Sequence, residues 1–185
     1  AYIAQELIKL GYKPGLVSRG YGGKFRETLE VTNQTSVKQT GDEAQILAKL
    51  NLPFYIDKNR VRAVKTLVNN HTCDVIISDD GLQHYNMNRD IEIVVIDGKR
   101  RFGNNLSFPA GPLRESKSRL KSVDFVVNNS GPTKDNEYLM NISPSKFIHL
   151  KTGKSYLIKD WPMHKQVHAV AGLGNPGRFF DLLAR

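Results

Sequence analysis

The densest run of reactive side chains lies between Asp74 and His84, which reads Asp-Val-Ile-Ile-Ser-Asp-Asp-Gly-Leu-Gln-His. Its apolar, β-branched start predicts a strand buried on both faces. Gly81 lets the chain turn away from that strand. Asp79 and Asp80 then fall at the C-terminal end of a parallel strand, where open α/β sheets bind ligands. Paired acids at such a place hold Mg²⁺ on a nucleotide phosphate. The structural alternative is a polar strand end that caps the next helix.

Four further windows carry chemistry. Ser18-Arg19-Gly20-Tyr21-Gly22-Gly23 combines glycines, whose backbone N–H groups can approach an anion, with an arginine able to clamp a phosphate. Its alternative is a flexible turn. Gly41-Asp42-Glu43 precedes an apolar helical run. Asp42 is either the N-cap of that helix or a general base for a substrate hydroxyl, and the two roles are compatible. Pro109-Ala110-Gly111-Pro112-Leu113-Arg114-Glu115 is a rigid loop with a cation beside an acid. Arg114 suits a phosphate and Glu115 suits Mg²⁺; a surface ion pair is the alternative. Gly172-Leu173-Gly174-Asn175-Pro176-Gly177 matches the dinucleotide pattern G-x-G-x-x-G. A tight turn with Pro176 opening a helix explains it equally.

The elements that must position these residues alternate between strand and helix. The pattern predicts helices over residues 1–10, 41–50, 60–69 and 116–122. It predicts strands over 15–18, 53–56, 74–78, 91–97 and 124–128. Residues 19–39 read as an irregular surface segment. Val61, Val64 and Val68 mark one side of the third helix. This alternation implies βαβ units: an α/β fold with a mostly parallel sheet sandwiched by helices. After Pro132 come short strands over 138–143, 146–151 and 154–158, with Thr152-Gly153 turning a hairpin. A last strand over 166–171 leads into a helix. The expected organisation is a core domain over 1–132, a β-strand linker over 133–165, and the start of a second α/β domain over 166–185.

The chain has 185 residues, 39% of them hydrophobic, and a formal net charge of +9. That charge suits phosphate-rich partners such as nucleotides, nucleic acid or an anionic membrane surface. The aromatic and basic interleaving of a nucleic-acid module is missing. A single cysteine, Cys73, excludes an internal disulfide framework. No apolar run approaches the roughly 20 residues of a membrane span. The four histidines other than His84 lack metal-ligand spacing.

Together the windows resemble the tetraacyldisaccharide 4′-kinase family of lipid A biosynthesis. The matching stretches are residues 18–23, 41–43, an arginine at 60, 78–84, Ile96-Asp97, 111–115 and 171–180, in that order. The resemblance implies a P-loop kinase of two α/β/α domains joined by a β hairpin. Its members use ATP and Mg²⁺ to phosphorylate the 4′-hydroxyl of a tetraacylated glucosamine disaccharide 1-phosphate, giving a lipid IVA-type product. They act at the cytoplasmic face of the bacterial inner membrane. By resemblance, Asp42 is the base or orienter for the sugar hydroxyl, and Asp79 and Asp80 form a Walker B-like pair near Mg²⁺. Asp80 and Arg114 take part in catalysis, and Glu115 helps hold the metal. Arg19, Tyr21, Arg60, Gln83 and His84 line the cleft for the phosphorylated sugar. The family's phosphate loop, G-x-x-x-x-G-K-[ST], does not occur in the chain, nor does its Asp-His-His segment. The expectation is therefore a fragment that binds ATP poorly and is inactive as given. The rival expectation is a dinucleotide-binding or other basic phosphate-binding module without kinase activity.

Overall fold

A computed structural model describes residues 1–160, 167–173 and 176–184. The chain divides into two compact units, Ala1–Glu92 and Ile93–Arg185.

In the first unit α1 (Tyr2–Lys9) leads into β1 (Pro14–Ser18), then β2 (Leu29–Glu30), α2 (Val37–Thr40) and α3 (Asp42–Ala48). After these come β3 (Phe54–Ile56), α4 (Arg60–Asn70) and β4 (Val75–Ser78). The sheet order is β2-β3-β1-β4. β1 runs parallel to both β3 and β4, while β2 closes one edge antiparallel to β3. Side chains alternate between two packed faces. Leu16, Phe54 and Ile56 pack with Ala4, Ala44 and Ala48 on one side, so α1 and α3 cover that face. Val17 and Tyr55 pack with Ala63 and Leu67 on the other, the face of α4. This is the sandwiched, mostly parallel α/β sheet expected from the sequence.

Two local expectations change. The stretch 19–39 is not wholly irregular: it contains β2 and α2, and Val31 N–H donates to the Phe54 carbonyl at 2.8 Å. The buried side of α4 is Arg60, Ala63 and Leu67, whereas Val68 is exposed. An arginine takes a core position with two of its guanidinium nitrogens bonded to strand-end carbonyls, as described below.

In the second unit β5 (Ile93–Asp97), β6 (Phe125–Asn129) and β7 (Glu137–Met140) form a parallel sheet in that order. β7, read from sequence as a linker strand, thus extends this sheet. The helix expected over 116–122 forms as a 3-10 helix, Lys117–Lys121. β8 (Lys146–Ile148) and β9 (Ser155–Leu157) form the antiparallel hairpin, turned at Gly153 with φ +68°. Among residues 167–173 no strand forms, and the rest of the expected strand, like Gly174 and Asn175, lies outside the described residues. α5 (Pro176–Leu183) opens on Pro176 as expected.

Glu137 fastens β7. Arg101 donates to both its carboxylate oxygens at 2.8 and 2.6 Å, and Asn128 Nδ2 and the Lys134 N–H add bonds at 3.0 Å each. The Arg101 bonds hold its pKa down to about 2, against burial, which pushes it up. A carboxylate depressed in the folded state contributes stability that is complete above its unfolded value near 4.5 and is lost as pH falls towards about 2. Thermal unfolding should therefore show a falling Tm across that window. Glu137→Gln should flatten the dependence, and an unchanged slope would contradict the assignment.

Candidate functional site

Because β1, β3 and β4 are parallel, their C-terminal ends emerge at one edge of the first sheet. The backbone continues the ladder there: Asp57 N–H donates to the Ser18 carbonyl at 3.1 Å and Asp79 N–H to the Val17 carbonyl at 2.9 Å. Three turns, Arg19-Gly20, Asp57-Lys58 and Asp79-Asp80, are thereby brought side by side.

Arg60 locks this edge. It is 2% exposed. Its Nη1 donates to the Asp57 carbonyl and its Nη2 to the Asp79 carbonyl, both at 3.0 Å. Burial lowers its pKa to about 10, and the charges of Asp80 and Asp79 act in the opposite direction. The group stays cationic at neutral pH. The arginine read from sequence as a substrate contact is thus, in this structure, bonded to the ends of β3 and β4. It sets the direction in which Asp79 and Asp80 leave β4. Asp79 and Asp80 are exposed, and Asp80 has φ +47°, a left-handed conformation that asparagine and aspartate tolerate better than most residues.

His84 sits in the same cluster. Burial, with Arg60 and Arg19 nearby, pushes its pKa below 6.5 against the pull of Asp80, so the ring is neutral at pH 7. Gln83 is half-buried beside it in the chain. Two residues that sequence reasoning missed hold the frame. Arg89 Nη1 donates to the Gly81 and Leu82 carbonyls at 2.9 Å each and pairs with Glu92 at 3.0 Å. This pins the Asp-Gly-Leu-Gln-His turn. Asp57 is 1% exposed and accepts from Arg62 Nε at 2.6 Å, from Arg62 Nη2 at 3.0 Å and from the Asn59 N–H at 2.8 Å, with Thr28 Oγ1 as a further donor. Burial pushes its pKa up, but the Arg62 and Thr28 bonds prevail and hold it below the usual carboxylate value. The only hint in the sequence was an Asp-x-Asn spacing between a strand and a helix.

Asp42 joins the site through the glycine loop. A Cβ on Gly41 would lie 2.0 Å from the Tyr21 carbonyl, and one on Gly23 would lie 2.3 Å from the Gln39 carbonyl. Only glycines allow the 20–23 loop to lie against the start of α3. The N-cap is Gly41, at φ 81°, so Asp42 does not cap α3 with its side chain. It is the first helical residue, exposed, with Oδ1 accepting the Glu43 N–H at 3.0 Å. Tyr21 is 76% exposed. The structure therefore gathers Arg19, Tyr21, Asp42, Arg60, Asp79, Asp80, Gln83 and His84 within the first unit.

Arg114 and Glu115 belong to the second unit. Their loop is held by a Phe108 N–H to Leu113 carbonyl bond at 2.8 Å and by Asn104 Nδ2 donating to the Ala110 carbonyl at 2.8 Å. Glu115 Oε2 lies 3.4 Å from Arg119 Nε. The cation beside it in space is thus one helical turn onward, in addition to Arg114 next to it in sequence. Among the described residues no three His, Cys, Asp or Glu side chains cluster as a self-sufficient metal site. The exposed Asp79–Asp80 pair still fits Mg²⁺, which keeps several waters and takes one or two carboxylates plus phosphate oxygens.

The proteins this chain matches are named as kinases. A sequence model described as LpxK, tetraacyldisaccharide-1-P 4′-kinase, matches residues 1–185. A tetraacyldisaccharide 4′-kinase of Shewanella denitrificans is 47% identical over 99% of this chain and 55% of its own length. One from Ruthia magnifica is 49% identical over 99% of this chain and 58% of its own. The chain thus spans between half and two thirds of these relatives. The crystal structure of "apo" form LpxK from Aquifex aeolicus in complex with ATP superposes with a TM-score of 0.77 at 25% identity. It covers 99% of this chain and 60% of that one. The fold, the ordered motifs and these matches agree, and the chain belongs to the tetraacyldisaccharide-1-P 4′-kinase family.

Proposed function

We propose that this chain supplies the acceptor side and the carboxylate side of a kinase. The kinase transfers a phosphoryl group from ATP to the 4′-hydroxyl of a tetraacylated glucosamine disaccharide 1-phosphate. The observation that carries the reading is the Asp79–Asp80 pair, set at the strand edge by Arg60 beside Arg19, in a chain that matches the family throughout. Phosphoryl transfer asks a protein for positioning and charge stabilisation. Asp42, exposed at the start of α3 next to the Tyr21 loop, accepts the proton of the attacking hydroxyl. Asp79 and Asp80 are the residues of the first unit that would hold Mg²⁺, which when bound would neutralise charge on the phosphates; in the second unit Glu115 offers a metal-binding carboxylate of its own. Arg19 and Arg114 offer guanidinium donors to phosphate oxygens. Tyr21, Gln83 and neutral His84 bind the sugar by hydrogen bonding. The matching of the dinucleotide pattern at 172–177 lacks its preceding strand among the described residues, which favours the kinase over the dinucleotide-binding alternative.

Transfer is direct and in-line. Burial, with Asp74 nearby, raises the Cys73 thiol pKa, so it is protonated at neutral pH and a poor nucleophile. For membrane presentation, the β8–β9 hairpin carries Leu150, 96% exposed, among Lys146, Lys151, Lys154 and Lys159. That combination suits the anionic cytoplasmic leaflet of an inner membrane. Among the described residues no helix is long and apolar enough to cross a membrane.

The test uses the full-length protein, meaning this chain at the length of its relatives, with γ-labelled ATP and the acylated disaccharide 1-phosphate. Label should move to the lipid only with Mg²⁺, and faster from vesicles containing anionic lipid than from neutral micelles. Label trapped on the protein would overturn in-line transfer. Absence of lipid labelling would overturn the kinase assignment, and equal rates on both surfaces would overturn the membrane contact.

A further inference from the structure

The turn that carries Gln83 and His84 is tied down by residues further along the chain. The Gly81 carbonyl accepts the His84 N–H at 3.0 Å, which closes the turn. The same carbonyl and that of Leu82 both accept from Arg89 Nη1, at 2.9 Å each. An arginine Nη carries two hydrogens, so the two carbonyls engage this nitrogen in full. Nη2 lies 3.0 Å from Glu92 Oε1, and both side chains are largely buried, at 18% and 14% exposure. Each carbonyl lies in the plane of its own peptide. Arg89 therefore fixes two successive peptide planes, 81–82 and 82–83, and with them the direction in which Gln83 leaves the turn. The His84 N–H bond carries that constraint one residue further. Arg89 and Glu92 both lie outside the stretches that resemble the kinase family.

Arginines in phosphoryl-transfer enzymes commonly clamp phosphate. Arg89 is differently placed. Carbonyls and a carboxylate already engage both of its terminal nitrogens, and a phosphate would have to compete with Glu92 for the cation, anion against anion. We propose that Arg89, aimed by Glu92, is a positioning residue: it fixes the 81–83 backbone so that Gln83 and His84 face the acceptor, and it binds no phosphate itself. The proposal rests on the kinase reading, in which Gln83 and His84 bind the sugar. It makes Glu92, an acid that on its own would repel a phosphorylated acceptor, necessary for using that acceptor.

The two roles for Arg89 predict opposite signs at Glu92. In the full-length protein, Glu92→Ala should lower kcat/KM for the acceptor by about 10- to 100-fold, the scale on which a misplacement of about an ångström acts. KM for ATP should stay at the wild-type value. If Arg89 binds phosphate instead, removing the competing carboxylate should lower KM for the acceptor or for ATP, and that result would overturn the proposal. Glu92→Gln keeps an oxygen for Nη2 and should recover part of the activity. A loss as large as in the alanine variant would overturn the hydrogen bond as the cause. Amide hydrogen exchange gives a readout that needs no turnover. In Glu92→Ala the His84 amide should exchange about 10-fold faster, the weight of about one hydrogen bond. The Leu16 amide, donated to the Pro53 carbonyl at 2.8 Å within the first unit, should keep its wild-type rate. Faster exchange at both amides would mean general destabilisation and overturn the local role, as would unchanged exchange at His84. Faster exchange at His84 alone, in a protein that transfers no phosphoryl group, would keep the clamp and overturn the kinase reading instead.

Discussion

Asp42→Asn in the full-length protein should lower kcat by about 10²–10⁴-fold, the range for loss of a positioned general base, with KM for ATP changed far less. The structure makes this substitution clean. Gly41, not Asp42, occupies the N-cap of α3, and no side chain caps that helix. Asparagine keeps the shape of aspartate and retains an oxygen for the Glu43 N–H that Oδ1 now accepts at 3.0 Å. What is lost is the charge next to the helix N-terminus, worth about 0.3–1 kcal/mol at an exposed site. Steady-state kinetics together with thermal unfolding check the claim. If activity and Tm fell in proportion, Asp42 would be a helix-start residue and nothing more.

The second large effect is expected at Asp80. Asp80→Asn should cut kcat/KM by about 10²-fold or more, since stabilisation of phosphate charge by a held cation is worth several kcal/mol. The Mg²⁺ concentration needed for half-maximal rate should rise with it. Asparagine is the informative replacement because the residue sits at φ +47°, and asparagine tolerates that conformation about as well as aspartate. Asp80→Ala would mix backbone strain with loss of charge. Wild-type Mg²⁺ dependence in the asparagine variant would remove Asp80 from the metal site and leave Asp79 as the ligand.

Much of this site was legible before the structure because its residues follow strands whose apolar pattern is plain. Val75-Ile76-Ile77 is β4, and the acids after it lie at the strand edge where sheet topology places them. Gly23, with the other glycines of its window, was read as freedom for an anion or a turn, and Gly41 was read only as the residue before Asp42. Their contacts show a different cause, the close approach of two backbones. The side of α4 that is buried could not be read from periodicity, since a valine stripe competes with Arg60, Ala63 and Leu67. Hydrophobicity does not anticipate an arginine paid for by carbonyls at strand ends. For the same reason Asp57 and Arg89 were invisible: each works through partners remote in sequence or in backbone atoms that carry no residue signature. β7 looked like a linker strand because a short, half-exposed run carries no sign of the partner that fixes it parallel to β6.

The double attachment of Arg60 bears on the order of events during folding. Its two acceptors are carbonyls that close the ends of β3 and β4, and both strands pair with β1 across long loops. Such non-local closures come late in a parallel sheet. The guanidinium can therefore settle only after the strands are aligned, and the acids beside it acquire their directions in that same step. Before that alignment the chain has no such strand edge. A ligand for that edge cannot hasten folding; it acts by slowing the reverse reaction, holding shut a structure that the polypeptide must first reach unaided.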